Sequence, residues 1–315
     1  MTMLQGKLYE FQGLMAPVFT PFSKEDYSLN LGVIPAYAKY LAENGIKGIL
    51  VNGTSGEGMS MNVEERQKVT EAWKEAASST HHNIMVQVGG APLPDVLKLA
   101  EHADRCGVDS LLCLPDLFNK PSSVKELLEY LQLVSNAAPK TPILYYHIPA
   151  FTGVNVLITE LFSEAHRSNM VPRFAGAKFT YTNLEDGATS LRVGSELSGH
   201  SPYSVFLGSD ETMLGAFALG FNSAIGTTFN ILPELGKCIL SSSTKNNFVQ
   251  GQEHQWRLTQ AVRAITKHGK WVPTMKAAMN LRTKINVGPP RPPLKCITLA
   301  QEDEMKLELA RILSD

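Results

Sequence analysis

The chain has 315 residues, a formal net charge of −1, 43% hydrophobic residues and 19% charged ones. That length holds one large or two ordinary domains with a sizeable core, and the composition is globular rather than disordered. No Lys/Arg block stands out, which argues against nucleic acid or an anionic membrane as partner, and no apolar run reaches the ~18 residues of a bilayer span.

Short β-branched or apolar runs alternate with longer amphipathic stretches along the chain. Strands are predicted at 13–19, 48–52, 84–88, 110–114, 143–148, 174–179, 204–208 and 223–227. Between them the 3.6-residue pattern predicts helices near 31–44, 62–78, 93–106, 123–137, 156–168, 183–193 and 210–220. Asn62-Val-Glu-Glu65 reads as a capping box, and Gly45, Gly107 and Gly220 close helices. Eight strand–helix alternations predict an α/β fold, a parallel sheet closed into a (β/α)8 TIM barrel. An open doubly wound sheet would want a glycine-rich phosphate turn after its first strand, and Phe19-Thr-Pro-Phe-Ser23 offers none. Beyond Leu232 the strand signal stops. Helices are predicted at 245–268, 273–284 and 300–313, with Gly288-Pro-Pro-Arg-Pro-Pro293 between the last two. The expected division is therefore a barrel over 1–231 carrying the active site and a C-terminal helical extension over 232–315.

Cys106, Cys113, Cys238 and Cys296 are scattered and read as reduced, mostly buried thiols of a cytoplasmic protein. Lys7, Glu10 and Gln12 interrupt the first 19 residues, so no secretory apolar region is expected there. His81 and His82 are adjacent and Glu253-His254 lacks a partner four residues on, so no metal is expected.

Lys178 is the most informative residue. It lies in Phe174-Ala-Gly-Ala-Lys-Phe-Thr-Tyr181, an apolar strand whose alternation puts Gly176, Lys178 and Thr180 on one face. A charged amine there is costly unless paired, neutralised or used. Desolvation lowers a lysine's usual value of about 10.4, and an amine titrating near ~7–8 attacks carbonyl carbon. The run alone fits equally a lysine whose ammonium reaches off the strand end into water. Other polar residues gather at predicted strand ends, where a barrel of this kind keeps its chemistry. Asn52-Gly-Thr-Ser-Gly-Glu-Gly58 offers amides and the Thr54 and Ser55 hydroxyls to a carboxylate or phosphate, or is an ordinary βα turn. Tyr145-Tyr-His-Ile-Pro149 supplies a phenol as proton carrier or a buried aromatic; alternation does not say which tyrosine points inward. Asp210 and Glu211 after Gly208 either accept hydrogen bonds from a polyol or complement a helix dipole, and Gly226-Thr-Thr228 adds hydroxyls.

Gly53-Thr-Ser-Gly-Glu57, a Tyr-x-Ile-Pro strand, the lysine strand and a Gly-x-Asp-Glu turn, in that order, resemble the class I pyruvate-dependent aldolases. That family includes dihydrodipicolinate synthase and N-acetylneuraminate (sialic acid) lyase, and the resemblance covers nearly the whole chain. It implies that Lys178 forms a Schiff base with a 2-keto acid, that Tyr146 carries the proton, and that Thr54 and Ser55 bind the carboxylate. Tyr146-His-Ile-Pro-Ala-Phe-Thr-Gly153 resembles the sialate branch, and Ala150 and Phe151 stand where the synthases place an arginine. Thr180, Gly208, Asp210, Glu211 and Thr227 match the positions that hold a sugar chain. The resemblance thus implies reversible aldol cleavage of N-acetylneuraminate, a small-molecule substrate, with no cofactor because the lysine is the electron sink. Aldol cleavage of a 2-keto-3-deoxy sugar acid, or binding without turnover, remain the alternatives. A homotetramer is implied as well, with one departure. Phe118 stands where relatives lend a tyrosine to the neighbouring subunit, which removes that phenol.

Overall fold

Alternating strands and helices close into a single ring in the computed structural model, which describes residues 7–195 and 201–314. The strands are β1 (Gly13–Pro17), β2 (Gly48–Val51), β3 (Asn83–Gln87), β4 (Ser110–Cys113), β5 (Ile143–His147), β6 (Phe174–Phe179), β7 (Ser204–Leu207) and β8 (Ser223–Ile225). Each pairs in parallel with its sequence neighbour, and Gly13 opposite Ser223 closes β1 onto β8. The expected (β/α)8 barrel is the fold.

The helices on the outside are α1 (Ile34–Glu43), α2 (Val63–Thr80), α3 (Leu93–Arg105), α4 (Val124–Ala137), a one-turn α5 (Pro149–Thr152), α6 (Ile158–Ser168), α7 (Leu184–Ser190) and α8 (Met213–Ala218). They form because apolar residues recur on one face. In α3 these are Val96, Leu99, Ala100 and Ala103; in α6, Ile158, Leu161, Phe162 and Ala165, all buried on the sheet. Each large aliphatic buried this way contributes roughly 1.5–3 kcal/mol. The capping box opening α2 is present with both of its bonds, Asn62 to the Glu65 amide and Glu65 to the Asn62 amide.

After β8 come α9 (Pro233–Thr244), α10 (Phe248–Thr266), α11 (Trp271–Arg282) and α12 (Leu299–Ile312). The last three match the expected helices within three residues. The pattern reading has nothing at α9. Its buried face carries Gly236 and Ser242 beside Leu235 and Ile239, and those small polar positions hide the amphipathic signal. Gly236 is small because it must be: a Cβ there would lie 2.9 Å from the Phe229 ring.

Inside the ring, Met15, Leu50, Met85, Leu112, Leu144, Phe206 and Ile225 form one apolar cluster with Tyr9 and Phe11 from the segment before β1. Phe11 and Tyr9 pack on Phe206 at ring-centroid distances of 5.5 and 6.1 Å. This filled interior leaves the carboxyl ends of the strands as the place for chemistry. Of the cysteines only Cys113 is buried, while Cys106 and Cys238 are half-buried and Cys296 is exposed; all four are free thiols. The expectation of mostly buried thiols therefore holds for one of them.

Candidate active site

Lys178 points into the barrel because β6 contains a bulge. Ala175 lies in the interior cluster, yet Ala177, of the same parity, packs outward with Phe174 and Phe179. The extra residue falls where the pairing shifts, Ile143 opposite Phe174 but Leu144 opposite Gly176. Gly176 has φ +139°, and a Cβ there would stand 1.9 Å from the Ser204 carbonyl oxygen, so glycine is required. The bulge reverses the alternation and turns the lysine inward. Its cross-strand partner on β5 is Tyr146.

Tyr146 belongs to the interior cluster and Tyr145 to the helix-facing core, which decides the inward tyrosine. Lys178 is 5% exposed, its Nζ donates to Tyr146 Oη at 3.1 Å, and the ammonium lies 4.4 Å from the phenol ring centre. Thr54 Oγ1 is 3.1 Å from the same Tyr146 Oη. Amine, phenol and loop hydroxyl therefore form one chain.

The loop between β2 and α2 is folded tightly on itself. Asn52 and Glu57 adopt left-handed backbone, and a Cβ on Gly58 would come within 2.2 Å of the Asn52 carbonyl oxygen. Thr20 Oγ1 donates to the Gly56 carbonyl at 2.6 Å. Ser55 Oγ is 2.7 Å from Thr227 Oγ1, which also accepts from the Trp271 indole N–H at 3.2 Å. The loop's acidic residue pairs with a second lysine. Glu57 Oε1 accepts from Lys276 Nζ at 2.8 Å, and both side chains are about 1% exposed. Lys276 spends its other two N–H groups on the Thr20 and Pro289 carbonyls at 2.9 and 2.8 Å. Glu57 Oε2 takes the Arg291 amide at 2.8 Å. The loop is thus anchored to α11 and to the proline-rich segment.

Asp210 is buried one strand further round. Its Oδ1 accepts from the Thr228 hydroxyl at 2.5 Å and the Thr228 amide at 3.1 Å. Burial raises its pKa, while the Thr228 bonds and the nearby Lys178 charge pull it back. Thr180 follows β6 and presses on Gly208, where a Cβ would meet Thr180 Oγ1 at 1.9 Å. That hydroxyl is buried with no hydrogen-bond partner among the described residues. Glu211 turns toward α10, 3.7 Å from Arg263 Nε, along a groove of about 730 Å³ that includes Leu214, Phe248 and Trp256. Among the described residues no three His, Cys, Asp or Glu side chains gather as a metal set would require.

Residues 10–315 match the Dihydrodipicolinate synthetase family. The chain belongs to that family. An N-acetylneuraminate lyase of Xenopus tropicalis is 36% identical over 90% of this chain and 90% of its own length. One of Sus scrofa is 34% identical, covering 95% of this chain and 92% of that protein. Among solved structures, the N-acetylneuraminate lyase of Aliivibrio salmonicida superposes with a TM-score of 0.89 at 31% identity, covering 96% and 97% of the two chains.

Within this family member the barrel brings Lys178, Tyr146 and Thr54 into one hydrogen-bonded group and Ser55 with Thr227 into a second. Asp210, Thr180 and Gly208 surround the end of β6 and β7. Three of the expected residues also reach the extension: Glu211 through Arg263, Thr227 through Trp271 and Asp210, by its carbonyl, through Gln255. Phe118, beyond β4, is 93% exposed and makes no part of these groups. Sequence reasoning missed Glu57, Lys276 and Trp271 as site-shaping residues. The available signal was a lysine on the apolar stretch Val272-Pro-Thr-Met-Lys-Ala-Ala-Met-Asn280, which is as expensive as Lys178 and equally in need of a partner.

Proposed function

We propose that the protein is an N-acetylneuraminate lyase, cleaving the sugar acid reversibly to N-acetylmannosamine and pyruvate. The observation that carries this reading is the buried Lys178 amine 3.1 Å from the Tyr146 phenol, itself 3.1 Å from Thr54. The lyase names of the relatives support the choice of substrate.

Lys178 Nζ adds to C2 of the open-chain substrate, and loss of water gives a protonated imine that draws electrons from C3. Tyr146 gives its phenol proton to the C2 hydroxyl that leaves as water, and then takes the C4 hydroxyl proton. The C3–C4 bond breaks, N-acetylmannosamine leaves with a new carbonyl, and its electron pair stays on C3 as an enamine. Reprotonation at C3 and addition of water release pyruvate and the free amine. Thr54 and Ser55 hold the carboxylate, which fixes the keto carbon against Lys178. Thr180, Asp210, Glu211 and Thr227 receive the hydroxyl-bearing chain, and Gly208 leaves the room that a side chain would fill.

The protein works as a homotetramer in the cytoplasm on this reading. Exposed Met59, Leu117 and Phe118, on the loops after β2 and β4, favour burial against another subunit, and four unpaired cysteines suit a reducing compartment. Borohydride reduction with pyruvate should add a pyruvyl mass to the peptide bearing Lys178 and to no peptide of Lys178→Ala. The wild type should also cleave N-acetylneuraminate faster than 2-keto-3-deoxygluconate. An unmodified peptide would make the protein a binder rather than an aldolase, and the reverse order of rates would move it to the other sugar acid.

A further inference from the structure

Trp271 opens α11 at the edge of the candidate site, and the sequence reading gives it no role. Its indole N–H has only donor capacity, so Thr227 Oγ1 must accept at 3.2 Å. Thr227 and Ser55 are 2.7 Å apart and share one proton. Two senses of that bond exist. If Thr227 donates, the Ser55 hydroxyl proton is free for an incoming anion. If Ser55 donates, its oxygen meets a carboxylate with lone pairs alone, which repels it. A donor at the head of the chain polarises Thr227 toward giving its own proton onward, because successive hydrogen bonds reinforce each other.

We propose that Trp271 is a positioning residue that sets the direction of the Trp271–Thr227–Ser55 chain, so that Ser55 presents a proton to the substrate carboxylate. This rests on the reading above that Thr54 and Ser55 hold that carboxylate. Five residues along the same helix, Lys276 fixes Glu57 at the end of the same loop. Helix α11 thereby sets both where the loop sits and which way its serine points.

The test is synthesis-direction kinetics with pyruvate and N-acetylmannosamine for Trp271→Phe, which keeps an aromatic ring and removes the N–H. The KM for pyruvate should rise about 3–10-fold, the range for one lost hydrogen bond. The KM for N-acetylmannosamine, which has no carboxylate, should stay within about twofold of wild type, given that the lost bond does not touch it. Thr227→Val should raise the KM for pyruvate at least as much, and for pyruvate Trp271→Phe/Thr227→Val should be no worse than Thr227→Val alone. Equal rises in both KM values in Trp271→Phe, an unchanged pyruvate KM in that variant, or additive effects on pyruvate in the double variant would each overturn the proposal. Should Trp271→Phe fail to fold, Thr227→Val decides alone, an unchanged pyruvate KM being the overturning result. Ser55→Ala separates the two levels. If it leaves pyruvate binding intact, the carboxylate assignment fails and the proposal with it. If it weakens pyruvate while Trp271→Phe does not, only the role of Trp271 fails.

Discussion

Lys276→Met removes one ammonium from the buried pair beneath the site and keeps the apolar stem. In the native protein that ammonium satisfies Glu57, Thr20 and Pro289 at 2.8–2.9 Å and is itself fully buried. The substitution strands the Glu57 carboxylate with the Arg291 amide as its remaining bond, at 2.8 Å, and leaves two carbonyls without this donor. Breaking a buried pair from one side costs about 3–5 kcal/mol. For 315 residues the unfolding entropy near 60 °C is about 0.66 kcal/mol/K, so Tm should fall by roughly 5–8 °C. Replacing both partners, Lys276→Met with Glu57→Gln, removes the stranded charge, and the loss should be smaller than that of the single variant. Scanning calorimetry on the two variants measures this. Because Glu57 ends the loop carrying Thr54 and Ser55, the KM for pyruvate should also rise in Lys276→Met by more than kcat falls. A single variant as stable as wild type, or a double variant less stable than the single, would refute the argument that an uncompensated carboxylate is the source of the loss.

Tyr146→Phe should lower kcat by about 10²–10⁴-fold, the range for a general acid–base group, while borohydride still tags Lys178; near wild-type turnover would remove the phenol from the reaction. Gly208→Ala drives a Cβ into Thr180, 1.9 Å from its Oγ1, and such overpacking costs about 1–3 kcal/mol. It should raise the KM for the sugar and spare pyruvate tagging, and equal loss of both would mean general distortion of β7. His147 is buried beside Phe179, with ring centres 5.3 Å apart, and burial lowers its pKa to about 4 against the attraction of Asp186. The unfolded chain, titrating near 6.5, takes up this proton first, so stability falls as pH drops from about 6.5 to about 4, by up to roughly 3 kcal/mol. Urea unfolding across that range should show a shallower pH dependence in His147→Gln, and identical slopes would assign the acid sensitivity elsewhere.

How much of this was legible depended on whether a residue's cost had a local cause. The barrel was readable because each strand and helix declares its period within ten or fifteen residues, and the helices of the extension were found for the same reason. Helix α9 escaped because its buried face uses Gly236 and Ser242, chosen for fit against Phe229 and α10 rather than for hydrophobicity. Lys178 stood out as a charge in an apolar strand. Lys276 is the same anomaly on a helix, but its counter-charge lies 219 residues away in sequence, and no spacing rule connects them.

Parity is the deeper lesson. Strict alternation along β6 groups Lys178 with Phe174, and Phe174 packs outward against Phe162 and Tyr203. Read literally, that places either the phenylalanine in the barrel or the lysine among the helices. The conflict is resolved by one residue, Gly176, whose backbone takes a conformation closed to side chains and reverses the faces between Ala175 and Ala177. The glycine was visible in the sequence as a small neighbour of the amine. Its function is to let a strand that must bury Phe174 outside also deliver an amine inside, opposite Tyr146. A side chain at 176 would meet the Ser204 carbonyl oxygen at 1.9 Å and strain the one place where the strand turns its amine inward.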